Sequence, residues 1–200
     1  MKTKTLLGAA GALLLSASVA SAAGGFIRGQ VIYADFDDAG YDADWGYGIV
    51  GGSYLDVTQK HEVSLEADWI RWDVSATGEG LTGDAKHRFL PILANYRYHF
   101  RTPDVSRISF YLGASVGYAQ SKIEGSVRED LGEFIDSFED SDWGFVYGGT
   151  VGVTYEVNRA WSLDVGYRLL MANENDFDEP IGSIDDATIN MGYVGIGWKF

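Results

Sequence analysis

Tyr193-Val194-Gly195-Ile196-Gly197-Trp198-Lys199-Phe200 closes the chain in strict alternation. In an extended strand Val194, Ile196, Trp198 and Phe200 share one face, and Tyr193, Gly195, Gly197 and Lys199 share the other. The first face is wholly apolar and ends in two large rings. Such a strand divides an apolar medium from a confined, partly polar space.

Seven segments upstream repeat the pattern, at Phe26–Ala34, Gly46–Val57, Glu62–Val74, Arg88–Phe100, Ile108–Lys122, Trp143–Val157 and Trp161–Met171, with Thr188–Phe200 as the eighth. In the seventh, Trp161, Leu163, Val165, Tyr167, Leu169 and Met171 alternate with Ser162, Asp164, Gly166, Arg168 and Leu170. In the third, Val63, Leu65, Ala67 and Trp69 oppose Ser64, Glu66 and Asp68, and in the fourth Ile92, Ala94, Tyr96 and Tyr98 oppose Asn95 and Arg97. A basic side chain facing lipid at mid-membrane costs roughly 2–4 kcal/mol, so these strands turn their charges inward. The second strand, with Gly51 and Ser53 on its nominal outer face, leaves its own register open.

The connections sort by length. Thr58–His61, Arg101–Arg107 and Asn158–Ala160 are short, whereas Asp35–Trp45, Ser75–His87, Ile123–Asp142 and Ala172–Ala187 are long and carry most of the 29 carboxylates. Long loops at one end, short turns and both termini at the other, and aromatic rings at both strand ends are the asymmetry of an antiparallel barrel spanning a bacterial outer membrane. The expected fold is all-β: an eight-stranded up-and-down transmembrane β-barrel with short periplasmic turns and long acidic extracellular loops. Eight strands enclose an interior just wide enough for side chains to fill. Inward glycines, among them Gly113, Gly117, Gly144, Gly148, Gly152, Gly195 and Gly197, make room for larger neighbours such as Tyr111. Arg28, Arg97 and Arg168 are expected to pair there with Glu66, Asp68, Asp164 or Glu156, because an unpartnered buried charge is costly.

Residues 1–22 read as a signal peptide: Lys2 and Lys4, an apolar run from Leu6 to Leu15, and a small-residue cleavage site at Ala20-Ser21-Ala22. The mature chain, 23–200, has a length suited to one domain. The formal charge is −14 and grows more negative when Lys2 and Lys4 leave, so nucleic acid is an unsuitable partner. With no cysteine there is no disulfide, thiolate nucleophile or cysteine-ligated metal.

The final Tyr193–Phe200 stretch resembles the assembly signal of outer-membrane barrels, carried by Tyr193, Gly195, Trp198 and Phe200. Together with Phe89-Leu90-Pro91-Ile92-Leu93-Ala94-Asn95-Tyr96-Arg97-Tyr98, it makes the mature chain similar to the small outer-membrane β-barrel family that includes OmpA, OmpX and opacity-type proteins. The resemblance implies periplasmic termini, insertion by the outer-membrane assembly machinery, and contact with outer-membrane lipid and lipopolysaccharide. It implies no activity. No wall-tethering domain is expected after Phe200.

Catalytic, cofactor and metal sites are not expected. His61 and His99 fall at short turns and His87 at a loop margin, on opposite sides of the membrane, so neither a triad nor a shared metal site forms. Asp35-Phe36-Asp37-Asp38-Ala39-Gly40 begins like a calcium loop but fails at Ala39 and at Gly46, where the twelfth-position glutamate belongs; loose binding of divalent cations is left open. Within Glu129–Glu139, Leu131, Phe134, Ile135 and Phe138 fall at helical spacing, which suggests a short amphipathic helix or a loop packing its own apolar residues. Either makes this loop the candidate contact for an extracellular partner. The sequence therefore points to a monomeric, non-enzymatic outer-membrane barrel with a structural or surface-interaction role such as adhesion or envelope integrity. The alternatives are a small-solute or ion channel and, more remotely, a lipid A-modifying enzyme.

Overall fold

The computed structural model describes residues 24–36, 44–78, 81–101, 107–129, 134–172, 175–176, 183–184 and 187–200. The strands are β1 (Gly25–Phe36), β2 (Asp44–Tyr54), β3 (His61–Gly78), β4 (Leu81–Arg101), β5 (Ile108–Glu129), β6 (Phe134–Glu156), β7 (Trp161–Ala172) and β10 (Ala187–Lys199). Between the last two lies a two-residue ladder of β8 (Asn175–Asp176) and β9 (Ser183–Ile184). The eight long strands close a barrel in the order β1-β10-β7-β6-β5-β4-β3-β2, every pair antiparallel. Closure is knitted at the chain end, where the Gly25 amide donates to the Phe200 carbonyl at 3.0 Å and the Phe200 amide to Gly25 at 2.9 Å. Each of the eight described barrel strands is thereby paired on both sides, as a wall in hydrocarbon requires.

Alternation decides the two faces as the sequence reading expected. Leu163, Val165 and Tyr167 point out while Ser162, Asp164 and Arg168 are buried. The register left open for β2 resolves with Trp45, Tyr47 and Ile49 outward and Val50 and Tyr54 inward, fixed by the pairs Arg28–Val50 and Val50–Glu66. Pro91, which has no amide hydrogen, sits mid-strand in β4, and the β3–β4 ladder skips Asp68 and Trp69 beside it. Outward rings form belts at both ends, with Phe100, Phe110, Trp161 and Trp198 toward the short turns and Trp45, Trp69, Tyr118 and Trp143 toward the long connections.

The short turns are held by side chains. Asp56 Oδ1 accepts the Lys60 and His61 amides at 2.9 Å each, with Thr58 donating to the other oxygen and Gln59 in the left-handed region at φ 53°. These donors hold the Asp56 carboxyl below the ordinary aspartate range. A carboxylate lowered in the folded state stabilises above its unfolded pKa and ceases to do so as pH falls through its folded value. Asp56→Asn is therefore expected to lower the urea midpoint at neutral pH, and the deficit against wild type should shrink in acid. Equal midpoints at neutral pH would refute this.

Two expected loops are not loops. Most of Ser75–His87 and Ile123–Asp142 belongs to β3, β4, β5 and β6, which run 18, 21, 22 and 23 residues against 11 to 13 for the other barrel strands. A tilted membrane strand needs only about 9–11 residues, so these two hairpins project well beyond the bilayer. The helix considered for the third loop gives way to strand: Phe134, Ile135 and Phe138 lie in β6, with Phe134 paired to Arg128 and Phe138 to Gly125. Leu131 lies outside the described residues, as do Asp37 to Gly40 of the calcium-like stretch. Backbone pairing with the neighbouring strand satisfies the amides and carbonyls of a hairpin, and it overrides a weak helical periodicity of side chains.

Candidate functional site

The interior is where the described part of this chain concentrates chemistry, and it is stratified. Nearest the short turns, Arg28, Glu62, Arg97, His99, Tyr111 and Asp164 converge from β1, β3, β4, β5 and β7, all 3 % exposed or less. Glu62 is the hub, with Arg28 at 3.3 Å, Arg97 at 3.7 Å and His99 Nε2 at 3.0 Å. Asp164 faces the same two arginines at 4.0 and 3.5 Å and accepts from Tyr111 at 2.9 Å and Thr154 at 2.8 Å. The Arg97 guanidinium also lies over the Tyr111 ring, 4.8 Å from its centroid.

One level further in, Arg168 grips Glu66 with two parallel bonds of 2.6 and 2.7 Å and reaches Asp68 at 3.4 Å. Asn95 donates to Glu66 at 2.7 Å, and Gln30 donates to Glu66 and, at 3.1 Å, to Asp68. Tyr193 joins the two levels, its hydroxyl within 2.8 Å of Tyr111 and 2.9 Å of Thr150. Glycine makes the space: a Cβ on Gly152 or Gly166 would overlap the Tyr111 hydroxyl, and one on Gly113 would press on the Arg97 stem. Three guanidiniums thus meet four carboxylates and an imidazole in a buried space, opposite charges set against one another as burial of charge requires.

Beyond this the lumen changes character. Ile32, Ala34, Ile70, Trp72, Phe89, Leu93, Ala119, Val146, Leu170, Ile189 and Met191 form a contiguous buried apolar cluster toward the projecting hairpins. The interior charges are thus gathered in the half nearer the short turns, and in the other half the polar pair His87 and Ser121 lies among apolar side chains. The signal was present: Leu169-Leu170-Met171-Ala172 and Leu90 to Ala94 stop alternating, as strands do when both faces are buried in apolar surroundings.

Of the residues anticipated for the network, all six are inward and fall into two groups, Asp164 with Arg28 and Arg97, and Arg168 with Glu66 and Asp68. Glu156 instead pairs with Lys199 at 2.8 Å near the short-turn end. Glu62 was not singled out, although its parity matches that of Glu66 and Asp68 and could have found it. His99 is no turn residue but a buried partner of Glu62. His87 is buried near the other end of the lumen, 2.6 Å from the Ser121 hydroxyl, while His61 meets Tyr96 on the outside at 2.8 Å. The histidines do not converge, and among the described residues no group of metal-ligating side chains assembles. Tyr193 and Gly195 line the lumen, Gly195 against the Arg28 stem, whereas Trp198 and Phe200 lie outward with ring centroids 5.1 Å apart.

A closed antiparallel barrel with an apolar exterior, aromatic belts and a side-chain-filled interior is an outer-membrane β-barrel. Residues 5–200 match the family model for the outer membrane protein beta-barrel domain, and the chain belongs to that family. Solved structures agree on the fold. Neisserial surface protein A is 18% identical with a TM-score of 0.60, the alignment covering 88% of this chain and 97% of that one. A major outer membrane protein from Thermus thermophilus is 10% identical with a TM-score of 0.60, covering 88% and 99%. Ail, the attachment invasion locus protein of Yersinia pestis, is 13% identical with a TM-score of 0.55, covering 89% and 99%. A comparison with curated protein sequences finds no match.

Proposed function

We propose that this protein is a non-conducting, non-enzymatic barrel of the bacterial outer membrane whose two projecting hairpins form a surface for interaction outside the cell. On this reading residues 1–22 are a signal peptide removed on export, 23–200 form one monomeric domain, and the termini lie in the periplasm. The last strand serves as the assembly signal through Tyr193, Gly195, Trp198 and Phe200. The interior ion network of Arg28, Glu66, Asp68, Arg97, Asp164 and Arg168 acts as a plug.

The observation that carries this reading is the filled lumen. A cross-linked charge layer and an apolar layer lie in series, and a hydrated ion would have to disrupt both. The β3–β4 and β5–β6 hairpins supply the second element, a rigid projection of paired strands including Phe134, Ile135 and Phe138. Loops and hairpins raised on a rigid scaffold carry recognition. An adhesive role has a counterpart in the fold's relatives, since Ail is an attachment and invasion protein by name.

Planar-bilayer recording tests the plug: the refolded protein is expected to leave the membrane silent, and reproducible single-channel steps would establish the channel reading instead. Lipid A profiles from cells with and without the protein should be identical; a changed acylation pattern would install an enzyme in its place.

A further inference from the structure

Charge along this chain is sorted by end, and the short turns carry the opposite sign from the whole. Segments 55–61, 101–107 and 157–160 hold Lys60, Arg101, Arg107 and Arg159 against Asp56 and Asp104, in a chain whose formal charge is −14. Of the described carboxylates at this rim, Asp56 is engaged by the amides of its own turn and Glu156 by Lys199. The side chains of Lys60, Arg107 and Arg159 have no ion pair or hydrogen bond among the described residues. Arg107 and Arg159 are exposed and Lys60 is half-buried.

The three cations are regularly placed. One stands in each turn: Lys60 directly before β3, Arg107 directly before β5 and Arg159 two residues before β7. Successive cations are therefore about 10 Å apart around the rim, two interstrand spacings. None sits on a loose loop. The Lys60 carbonyl accepts the His99 amide at 2.8 Å, the Arg107 carbonyl accepts the Glu156 amide at 2.7 Å, and the Ala160 carbonyl beside Arg159 accepts the Lys199 amide at 2.7 Å. Asn158 fixes the last turn, its Oδ1 accepting the Ala160 and Trp161 amides at 2.8 and 2.9 Å.

Alternation also gives them a direction. His61 meets Tyr96 on the outside and Ile108 is exposed, so Lys60 and Arg107, one residue earlier, fall on the mouth side of the rim. That parity turns them away from lipid. The mouth itself is shut by Phe26, Val50 and Tyr54, with the Lys199 ammonium 5.5 Å from the Tyr54 ring centroid. An anion drawn to this end lies across the rim and does not enter the lumen.

We propose that the short-turn end is a docking surface for the carboxylate-bearing peptide stems of the cell wall, with Lys60, Arg107 and Arg159 as its contacts. The proposal rests on the periplasmic orientation of the turns proposed above, which sets them toward the wall. A single exposed ion pair contributes little and is screened by salt. Cations held on three separate turns gain most from a polymer that repeats its charges, because the second and third contacts then form at high effective concentration. Peptidoglycan is such a polymer, its stems carrying free carboxylates at repeated intervals.

The test sediments the full-length barrel, refolded in phosphatidylcholine nanodiscs, with purified sacculi and with sacculi whose carboxyl groups have been converted to amides. Wild type is expected to bind untreated sacculi and to be released by high salt. K60Q/R107Q/R159Q should bind at least about tenfold more weakly, and wild type should lose as much on amidated sacculi. The substituted side chains have no partners in the fold, so the variant should keep the heat-modifiable gel mobility of a folded barrel. R71Q/R88Q/K122Q, which removes cross-strand neighbours of β3, β4 and β5 near the other end, should bind as wild type does. Equal binding by K60Q/R107Q/R159Q, equal binding to amidated sacculi, or loss in R71Q/R88Q/K122Q would each overturn the surface. Retention on immobilised polyglutamate with none on sacculi would assign this end to an acidic protein segment and overturn the wall as partner. Orientation is read separately with V57C, the only thiol in the chain, because Val57 is 84% exposed in its turn. Reaction with an impermeant maleimide on whole cells would overturn the orientation and this proposal together, whereas a protected thiol with no binding to sacculi would overturn the proposal alone.

Discussion

Arg168→Met is expected to destabilise the barrel by about 3–5 kcal/mol, the range for stranding a buried charge by removing its partner. Arg168 makes two bonds of 2.6 and 2.7 Å to Glu66 and one of 3.4 Å to Asp68, and both carboxylates have fully buried side chains. They are adjacent on the inward face of β3, so without the guanidinium two neighbouring carboxyl groups stay buried and lose the cation that both contact. Gln30 and Asn95 can solvate them but cannot neutralise them. Urea unfolding in lipid vesicles measures the loss. Adding Glu66→Gln to the Arg168→Met background should recover part of it, because the stranded charge is what costs. Single and double variants of equal, wild-type stability would show that Arg168 contributes nothing as an ion partner, and the plug would lose its main strut.

Gly148→Val should be nearly as damaging, by roughly 3 kcal/mol, at the upper end for overpacking a closed interior. Gly148 faces inward on β6 opposite Leu170, and a Cβ there would overlap the carbonyl oxygen of Leu169 on the paired strand and lie 3.0 Å from the Leu170 Cα. Backbone cannot rotate away as a flexible side chain can, so the β6–β7 ladder would have to part. The adjacent Gly149 faces out, and a Cβ on it meets only the Gly113 carbonyl at 3.8 Å. Gly149→Val is therefore the control: cold and boiled gel mobility should differ for it, as for wild type, while Gly148→Val gives mainly the unfolded band. Two equally folded variants would mean that β6 and β7 do not approach as closely as Gly148 requires.

Beside these effects, the interior shows where reading by parity succeeds and where it stops. Asp164 and Arg168 could be assigned inward from one strand, because only one face of Trp161–Met171 tolerates lipid. Nothing in a single strand says that Arg168 from β7 will meet Glu66 from β3, 102 residues away. That meeting depends on strand order and on the stagger of closure.

The helical spacing of Leu131, Phe134, Ile135 and Phe138 illustrates the opposite failure, a local pattern defeated by a non-local ladder. Once β5 and β6 leave the membrane in register, continuing to pair satisfies more backbone groups than breaking to form one helical turn. His99 failed for a related reason. Its nearness to a turn suggested a turn residue, yet even close to the strand end its parity is inward, and Glu62 on the neighbouring strand receives it.

What the residues determine unaided is the medium on each side of the wall. Period-two alternation, the cost of charge in hydrocarbon and the sorting of connections by length lead to a closed ribbon of eight strands in an outer membrane. Three matters belong to the tertiary structure alone. They are the meeting of Arg168 with Glu66, the extension of β3–β6 beyond the bilayer, and the pairing of Arg71, Arg88 and Lys122 on neighbouring strands. Each is a relation between strands: side-chain direction repeats within a strand, but height along the barrel axis exists only once neighbouring strands have fixed their register.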